Sequence, residues 1–251
     1  MERESRAGQA QIARDRRSLR LVVALSLVCA IGLGAIGVAT DGYAVVTTEA
    51  ARRLSIAAHP RSLPDVALAN GSAVGGSLHG LLRQDGRVAI VDFIYTRCFS
   101  LCLAMGSEFQ QLQDTIERRG LADRVRLISI SFDPADTPDD LARYARDLHA
   151  DPTVWRFYGA PTRAGLEILL RAFGVVVVPA PLGQFVHNAA YHVITPDGRL
   201  TRVVDYGASG EALRFAAGEA AQRVLERAPV RTESKQGWGV PARPAQGGVK
   251  P

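Results

Sequence analysis

Lysine is almost absent from this 251-residue chain, which contains only Lys235 and Lys250. Arginine therefore supplies nearly all of the positive charge behind the net charge of +5. The arginines are spread along the sequence, without interleaved aromatic side chains and without a nucleic-acid-binding motif. This distribution is typical of a solvated basic surface, and we expect no nucleic-acid partner.

Cysteine is also scarce, with three residues in the whole chain. Cys29 lies inside an apolar run, where a cysteine usually acts as a small hydrophobic residue, so we assign it no role. Cys98 and Cys102 remain as a closely spaced pair. Any thiol or metal chemistry of this protein must therefore use these two residues.

The N-terminal region contains an uncharged stretch of nineteen residues, Leu21 to Ala39, preceded by Arg14, Arg16, Arg17 and Arg20. About 20 apolar residues cross a bilayer as a helix, and an arginine-rich flank keeps the N-terminus cytoplasmic. We therefore predict one transmembrane helix. The alternative is a signal peptide cleaved after small residues. Either interpretation puts the cysteine pair outside the cytoplasm, where disulfides persist.

The sequence divides into five predicted regions. Residues 1–20 form a cytoplasmic tail, 21–40 the transmembrane anchor or signal peptide, 41–64 a tether, 65–228 one folded domain, and 229–251 a disordered tail. The tether shows no sustained hydrophobic pattern, and the tail is rich in proline, glycine and polar residues.

Alternating strand and helix signals begin the folded domain, after a short hairpin or loop over residues 65–86. The predicted strands are 88–95, 125–131, 155–158, 189–194 and 199–205, and the predicted helices are 99–119, one opened by Thr137 with Asp140 as a capping box, 162–173 and 210–227. The early alternation implies a parallel core, to which the late hairpin adds antiparallel strands. We predict an α/β, thioredoxin-like fold with a central mixed sheet.

The cysteine pair should lie where the first central strand turns into a helix. Residues four apart on a helix share a face, so Cys98 and Cys102 can close a disulfide or hold one metal ion together. The positive end of the helix dipole and the neighbouring Arg97 both favour the thiolate form. Redox motifs usually separate their cysteines by two residues, whereas three intervene here, which leaves more room for an ion.

A metal ion needs a further ligand, and histidine is the obvious candidate. The positions of His59 and His79 give no reason to assign them as ligands. His149 suits the end of a helix, and His192 lies within a predicted strand, where packing explains it. His187 lies in a loop before the late hairpin, which in a thioredoxin-like fold faces the cysteine helix. Two thiolates and one imidazole suit Cu(I), and Cu(II) if another ligand or water joins.

A run of acidic residues, Asp133, Asp136 and Asp139, could suggest a second metal site. Its position favours turn and helix-start chemistry instead. Tyr95 and Phe132 are expected to belong to the core or to the wall of the cysteine site.

Three separated motifs together resemble the SCO/SenC family: Val91–Cys98 followed by Cys102, then Ser129–Pro138, then His187 with Tyr191–Gly198. The resemblance runs from about residue 69 to residue 224. It implies a membrane-anchored thioredoxin-like domain that binds copper and helps to assemble the copper centre of cytochrome c oxidase subunit II. By motif position, the two cysteines match the copper-binding cysteines of the family and the histidine matches its histidine ligand.

Two departures from the family pattern concern the same site. The family usually has a proline after each cysteine, whereas Phe99 and Leu103 occupy those positions here. It also usually has an acidic residue before the histidine, where this chain has Val186. The changes affect the rigidity of the loop and remove a possible partner of the imidazole. The resemblance therefore extends to the ligands, but not to the client or to the balance between copper delivery and thiol chemistry.

The leading hypothesis is a copper-binding protein of the inner membrane, single-pass, with its C-terminal domain in the bacterial periplasm. Its partner would be cytochrome c oxidase subunit II or another copper protein. The alternative is a thiol–disulfide oxidoreductase that reduces the cysteines of a copper-binding partner. A peroxidase is disfavoured, because peroxiredoxins have a threonine three residues before their reactive cysteine, whereas Thr96 stands only two residues before Cys98.

Overall fold

A computed structural model describes residues 21–35, 38, 48–70, 73–98 and 101–227, without the side chains of residues 48, 73, 74, 101–103 and 227. The predicted cytoplasmic tail and the predicted disordered tail therefore lie outside the described residues. So do residues 36, 37, 39 and 40 of the predicted anchor.

The described chain contains seven helices and ten strands. The helices are α1 (residues 21–35), α2 (Thr48–Ala58), α3 (Leu78–Asp85), α4 (Leu101–Arg118), α5 (Pro138–Asp147), α6 (Arg163–Phe173) and α7 (Ser209–Arg227). The strands are β1 (Arg61–Ser62), β2 (Ala67–Asn70), β3 (Ala73–Ser77), β4 (Val88–Ile94), β5 (Val125–Ser131), β6 (Trp155–Gly159), β7 (Val177–Ala180), β8 (Gln184–His187), β9 (Ala190–Ile194) and β10 (Arg199–Asp205).

Eight strands form one mixed sheet in the order β1-β10-β9-β4-β5-β6-β2-β3. Strands β4, β5 and β6 are parallel, and β9 pairs with β4 in the antiparallel direction. Strands β7 and β8 form a separate two-stranded hairpin. The predicted α/β architecture with a central mixed sheet is confirmed.

Helices cover both faces of the sheet, which explains why every residue of β4 and β5 is buried. Adjacent residues of β9 point to opposite faces. On one face, Tyr191 packs against Phe109 of α4 at a ring-centroid distance of 5.4 Å. On the other face, His192 packs against Phe173 of α6 at 5.1 Å. The carboxyl ends of β4 and β5 emerge between these layers.

The predicted tether needs a correction, because its described part is folded. Helix α2 lies along β10, Ile56 is fully buried, and Arg53 forms an ion pair with Asp205 at the end of β10. Strand β1 pairs with β10 through Arg61 and Leu200. The sequence signal was weak because α2 buries few apolar side chains and stabilises itself with the ion pairs that Glu49 makes.

The local signals of helix start and stop correspond well to the structure. Thr137 caps α5 and forms the predicted capping box with Asp140. Thr162 caps α6, and Gly174 ends it at φ 69°, a left-handed conformation that favours glycine. Helix α3 was not predicted, and the structure places it after the β2–β3 hairpin.

Residues 21–35 are helical, and their apolar side chains are exposed. Within the part of the chain that the structure describes, no helix has both the length and the apolar character that crossing a bilayer requires.

Two ionisable side chains are fully buried on opposite faces of the central strands. Asp92 on β4 lies opposite Ser129, and neither carboxylate oxygen has a hydrogen-bond partner among the described residues. Burial raises the pKa of Asp92 to about 7, and the nearby Ser129 hydroxyl opposes this only in part. Burial lowers the pKa of His192 to about 4, although its ring lies beside the carbonyl oxygens of Val91 and Phe173.

These two groups affect stability in opposite directions between about pH 4 and pH 6.5. Native Asp92 keeps its proton up to about pH 7, whereas the unfolded chain loses it near 3.8, so its contribution falls as pH rises. Native His192 stays neutral down to about pH 4, whereas the unfolded chain becomes charged near 6.5, so its contribution falls as pH falls.

Replacing Asp92 with Asn should leave the His192 effect unopposed. From pH 4.5 to pH 6.5, the unfolding free energy of the variant should increase by about 2 kcal/mol more than that of wild type. One titrating group changes this energy by at most about 1.4 kcal/mol per pH unit. Urea unfolding of a fragment spanning residues 41–228, at both pH values, measures this. His192→Gln should show the opposite change, and equal pH dependence of all three proteins would contradict the assignment.

Candidate metal centre

Cys98 lies in the turn that follows β4. Its backbone N–H donates to the carbonyl of Tyr95 at 3.3 Å, and its side chain is only 5% exposed. Helix α4 begins at Leu101, so Cys102 belongs to its first turn. The side chain of Cys102 lies outside the described part of the chain. The predicted placement of the pair at a strand-to-helix junction is confirmed for the backbone.

A carboxylate from the next strand connection holds the turn that carries Cys98. Asp136 accepts hydrogen bonds from the backbone N–H of Thr96 at 2.9 Å and from its hydroxyl at 2.6 Å. The Ser131 hydroxyl donates to the same carboxylate at 2.6 Å. Asp136 therefore joins the end of β5 to the cysteine turn, a long-range role that the local sequence pattern did not indicate.

Arg97 is paired with a second carboxylate of that connection. Its guanidinium lies 2.5 Å from Asp133, which is buried, and Asp133 also accepts from the backbone N–H of Ala135. The turn role predicted for Asp133 is therefore correct, but incomplete. Because Arg97 is engaged with Asp133, its charge is partly neutralised, and it supports a thiolate at Cys98 less than the sequence predicted.

The β7–β8 hairpin brings His187 to the cysteine turn. The sequence predicted a loop at this histidine, whereas the structure places His187 at the end of β8, paired with Val177. Its ring packs against Phe132 at a centroid distance of 4.9 Å. The sequence predicted an extended segment over residues 175–181, which contains β7, but it did not predict β8 or the pairing of the two strands, because β8 is short and follows a proline-containing turn.

Aromatic side chains hold the hairpin over the ends of β4 and β5. Phe185, two residues before His187, packs against Tyr95 at 5.2 Å and against Phe132 at 5.7 Å. The Tyr95 hydroxyl donates to the side-chain oxygen of Gln184 at 2.9 Å. Tyr95 and Phe132 are thus wall residues of the site, and Gln184 and Phe185 are contributors that the sequence analysis did not identify.

The base of the hairpin is closed by Asn188. Its side-chain oxygen accepts from the backbone N–H of Val176 at 2.7 Å, and its side-chain nitrogen donates to the carbonyl of Gly174 at 2.9 Å. These bonds fix the direction in which the hairpin leaves α6, and with it the position of the imidazole.

The surroundings of His187 favour the neutral form of its imidazole. Burial lowers the pKa of His187 below its usual 6.5, and this outweighs the carbonyl of Asn188 and the charge of Cys98, which both favour the protonated ring. Nδ1 lies 3.2 Å from that carbonyl oxygen. When Nδ1 carries the proton, it donates to this oxygen, and the lone pair is on Nε2, the form in which histidine binds metals.

Three of the other four histidines have positions that show they lie outside this site. His192 is buried between two backbone carbonyls, His79 lies against the carbonyl of Leu63 at 2.9 Å, and His149 is exposed at the end of α5. Among the described residues, no three His, Cys, Asp or Glu side chains are arranged to hold a metal ion. Of the three predicted ligands, Cys98 lies near enough to His187 for its charge to raise the pKa of the imidazole, against the larger effect of burial.

Comparison with known proteins identifies the family. The sequence profile described as SCO1/SenC matches residues 80–219, more than half of the chain. The chain belongs to the SCO1/SenC family. This range contains both cysteines of the pair and the hairpin histidine, so the similarity on which the sequence analysis relied is confirmed at the level of the family.

Individual relatives of the SCO1/SenC family are distant. The SCO1 protein homolog of Bacillus subtilis (strain 168) is 28% identical over 120 residues, which are 47% of this chain and 61% of the relative. The matched part of the chain thus spans about three fifths of the length of that relative.

Solved structures of this family share the fold. BsSco, described as a member of the Sco family of cytochrome c oxidase assembly proteins, superposes with a TM-score of 0.54 at 24% identity, covering 65% of this chain and 95% of BsSco. Yeast Sco1 with copper bound gives a TM-score of 0.51 at 17% identity, covering 70% and 96% of the two chains. The thioredoxin-like fold of the domain is confirmed.

Asp136→Asn should loosen the turn that carries Cys98, because the amide cannot accept as strongly from Thr96 and Ser131. We expect a loss of about 1–3 kcal/mol in unfolding free energy, since hydrogen bonds to a charged group are among the stronger ones. Urea unfolding measures it. Asp139→Asn, an exposed change three residues away, is the control, and equal stability of the two variants would argue against the proposed anchoring.

Proposed function

We propose that this chain is a membrane-anchored copper-binding protein of the Sco type. Cys98, Cys102 and His187 would bind one copper ion outside the cytoplasm. The copper would be supplied to the copper centre of cytochrome c oxidase subunit II or of another copper protein. Copper is then a cargo, and no catalytic step is required of the chain.

The observation that supports this proposal most strongly is the meeting of Cys98 and His187. They are 89 positions apart in the sequence, yet the hairpin holds the imidazole where the charge of Cys98 acts on it. His187 belongs to the two-stranded hairpin and not to the main sheet, and its half-buried ring lies against Phe132. A neutral imidazole beside a buried thiol is a ready pair of soft metal ligands.

The surroundings of the pair suit copper in its reduced form. Tyr95, Phe132 and Phe185 form an apolar wall that limits the access of water, and no carboxylate among the described residues joins the pair in a metal-binding group. A low-coordinate site of two thiolates and one imidazole favours Cu(I), and an added water or ligand extends it to Cu(II).

Val186 replaces the acidic residue that usually precedes the histidine in this family, and it is exposed. It therefore contributes no carboxylate to orient the imidazole. We infer that the carbonyl of Asn188 takes over this role, because it lies within hydrogen-bonding distance of Nδ1.

The membrane part of the proposal rests on the N-terminal sequence. Helix α1 presents exposed leucine, valine and isoleucine side chains on all sides, as expected for a segment whose natural surroundings are lipid. The arginines before residue 21 favour a cytoplasmic N-terminus. The domain from residue 65 onward would then lie in the periplasm of a bacterium, attached to the inner membrane by one span.

A disulfide switch has been identified in BsSco, a protein of the same fold. A second candidate function follows for this chain, in which Cys98 and Cys102 reduce the cysteines of a copper-binding partner. That reaction would oxidise the pair to a disulfide as the partner disulfide gains two electrons and two protons. It needs both cysteines and does not need His187.

Copper binding by the reduced domain tests the first proposal. We expect one Cu(I) per chain in competition titrations with a chromophoric chelator, and a loss of at least tenfold in affinity for His187→Ala. His149→Ala, an exposed histidine away from the site, should bind as wild type does. Unchanged affinity of His187→Ala would contradict the ligand assignment, and full activity of that variant in cells would support the reductase.

Membrane attachment is tested separately with the full chain expressed in a bacterium. We expect the protein to stay in the membrane fraction after alkaline carbonate extraction, and protease added to spheroplasts to digest the folded domain. Release of a shortened, soluble protein would show that a signal peptide had been cleaved, and would contradict the anchor.

A further inference from the structure

The β7–β8 hairpin has an apolar outer face. Val178 and Val186 are register partners on this face and are 52% and 65% exposed. Val176, two residues before Val178, is 61% exposed, and Leu182 at the tip is 97% exposed. We call these four residues the outer face. The opposite face carries Phe185 and His187, which pack toward the cysteine turn.

The outer face has no charged neighbour within the hairpin, since residues 174–190 contain no Asp, Glu, Lys or Arg. The tip also adopts an unusual conformation. Leu182 has a φ of 60°, in the left-handed region that bulky residues rarely adopt. The backbone at the tip thus holds a large apolar side chain in an exposed position, which indicates a binding surface rather than a neutral turn.

The chain enters the domain at the base of this hairpin. Arg52, in the second turn of α2, contacts Gly174: a Cβ atom added to Gly174 would lie 2.6 Å from the Arg52 Cζ atom. Gly174 is in turn joined to the hairpin base by Asn188. Arg53, next on α2, pairs with Asp205 at the end of β10. The N-terminal end of α2 therefore lies at the same end of the sheet as the hairpin.

The proposed anchor is close to this point. Eight residues, 40–47, separate the end of the apolar run from Thr48. Even a fully extended chain of this length spans no more than about 26–29 Å. The opposite end of the sheet is marked by the ion pair between Arg223 of α7 and Asp197 in the β9–β10 turn. This end is farther from the N-terminal end of α2, where the connection from the anchor arrives.

We propose that the outer face of the β7–β8 hairpin rests on the lipid surface of the membrane that holds the anchor. The inference depends on the anchoring proposed above. Lipid is favoured over a protein partner because the short connection keeps the hairpin end of the domain beside the bilayer, where an uncharged apolar surface of this kind inserts between headgroups. Tyr206, partly exposed after the end of β10, adds an aromatic side chain of the type that lies at membrane interfaces.

Tryptophan fluorescence in the full chain tests this contact. Leu182→Trp places a reporter at the hairpin tip, and Leu225→Trp is the matched control, because Leu225 is 74% exposed near the C-terminal end of α7 and beside the opposite end of the sheet. Each variant is inserted into phosphatidylcholine–phosphatidylglycerol vesicles with or without brominated phosphatidylcholine, which quenches tryptophan inside the bilayer. The signal of the parent chain, which contains Trp155 and Trp238, is subtracted.

We expect brominated lipid to quench Leu182→Trp at least twice as strongly as Leu225→Trp. Adding Val178→Asp to Leu182→Trp should reduce the quenching to the level of the control, because a carboxylate on the outer face resists insertion. Copper stoichiometry of each variant shows that the hairpin is still folded. A variant that fails this check is replaced by Val176→Trp, which reports from the base of the same face.

Equal quenching of the two reporters in chains that float with the vesicles would overturn the membrane contact and leave the proposed anchoring and copper binding intact. The same result together with burial of Leu182→Trp by an added copper protein would assign the outer face to a protein partner. If the chains do not float with the vesicles at all, the anchoring itself is contradicted, and this inference falls with it.

Discussion

Packing of Phe185 against Tyr95 and Phe132 is the contact on which the candidate site depends. Tyr95 follows β4 and Phe132 follows β5, so these two rings form a platform at the carboxyl ends of two parallel strands. Phe185 lies on this platform and brings the next residue on the same face, His187, over Phe132. Because side chains alternate along β8, the contact that Phe185 makes also sets the position of His187, the candidate ligand.

The cysteine side of the site depends on a second contact of the same platform. Asp136 binds the end of β5 and the Thr96 turn through three hydrogen bonds, and Asp133 holds Arg97. The turn of residues 96–98 is consequently held from the side of β5, while the hairpin covers it from the side of α6. A family-typical turn contains prolines after its cysteines, and the Asp136 contacts offer this chain another source of rigidity.

Beneath the site, the central sheet contains buried ionisable groups that lower the stability of the fold. Asp92 has no hydrogen-bond partner among the described residues, although it lies on the central strand six residues before Cys98. A buried acid of this kind costs stability at neutral pH, where its charged form is disfavoured by burial. Together with His192 on the other face, it makes the pH dependence of stability a difference between two opposed effects.

The sequence by itself determined the elements whose signals are local. The buried runs of β4 and β5, the capping box at Thr137, the glycine that ends α6 and the placement of the cysteine pair all follow from neighbouring residues. Only the tertiary structure decided which distant residues meet. Helix α2, the β7–β8 hairpin and the Asp136 contacts are stabilised by partners far away in the chain, and short polar or proline-containing segments carry no periodic signal that would reveal such partners. For this reason, His187 could be proposed from its position in a motif, whereas the aromatic platform that holds it could not.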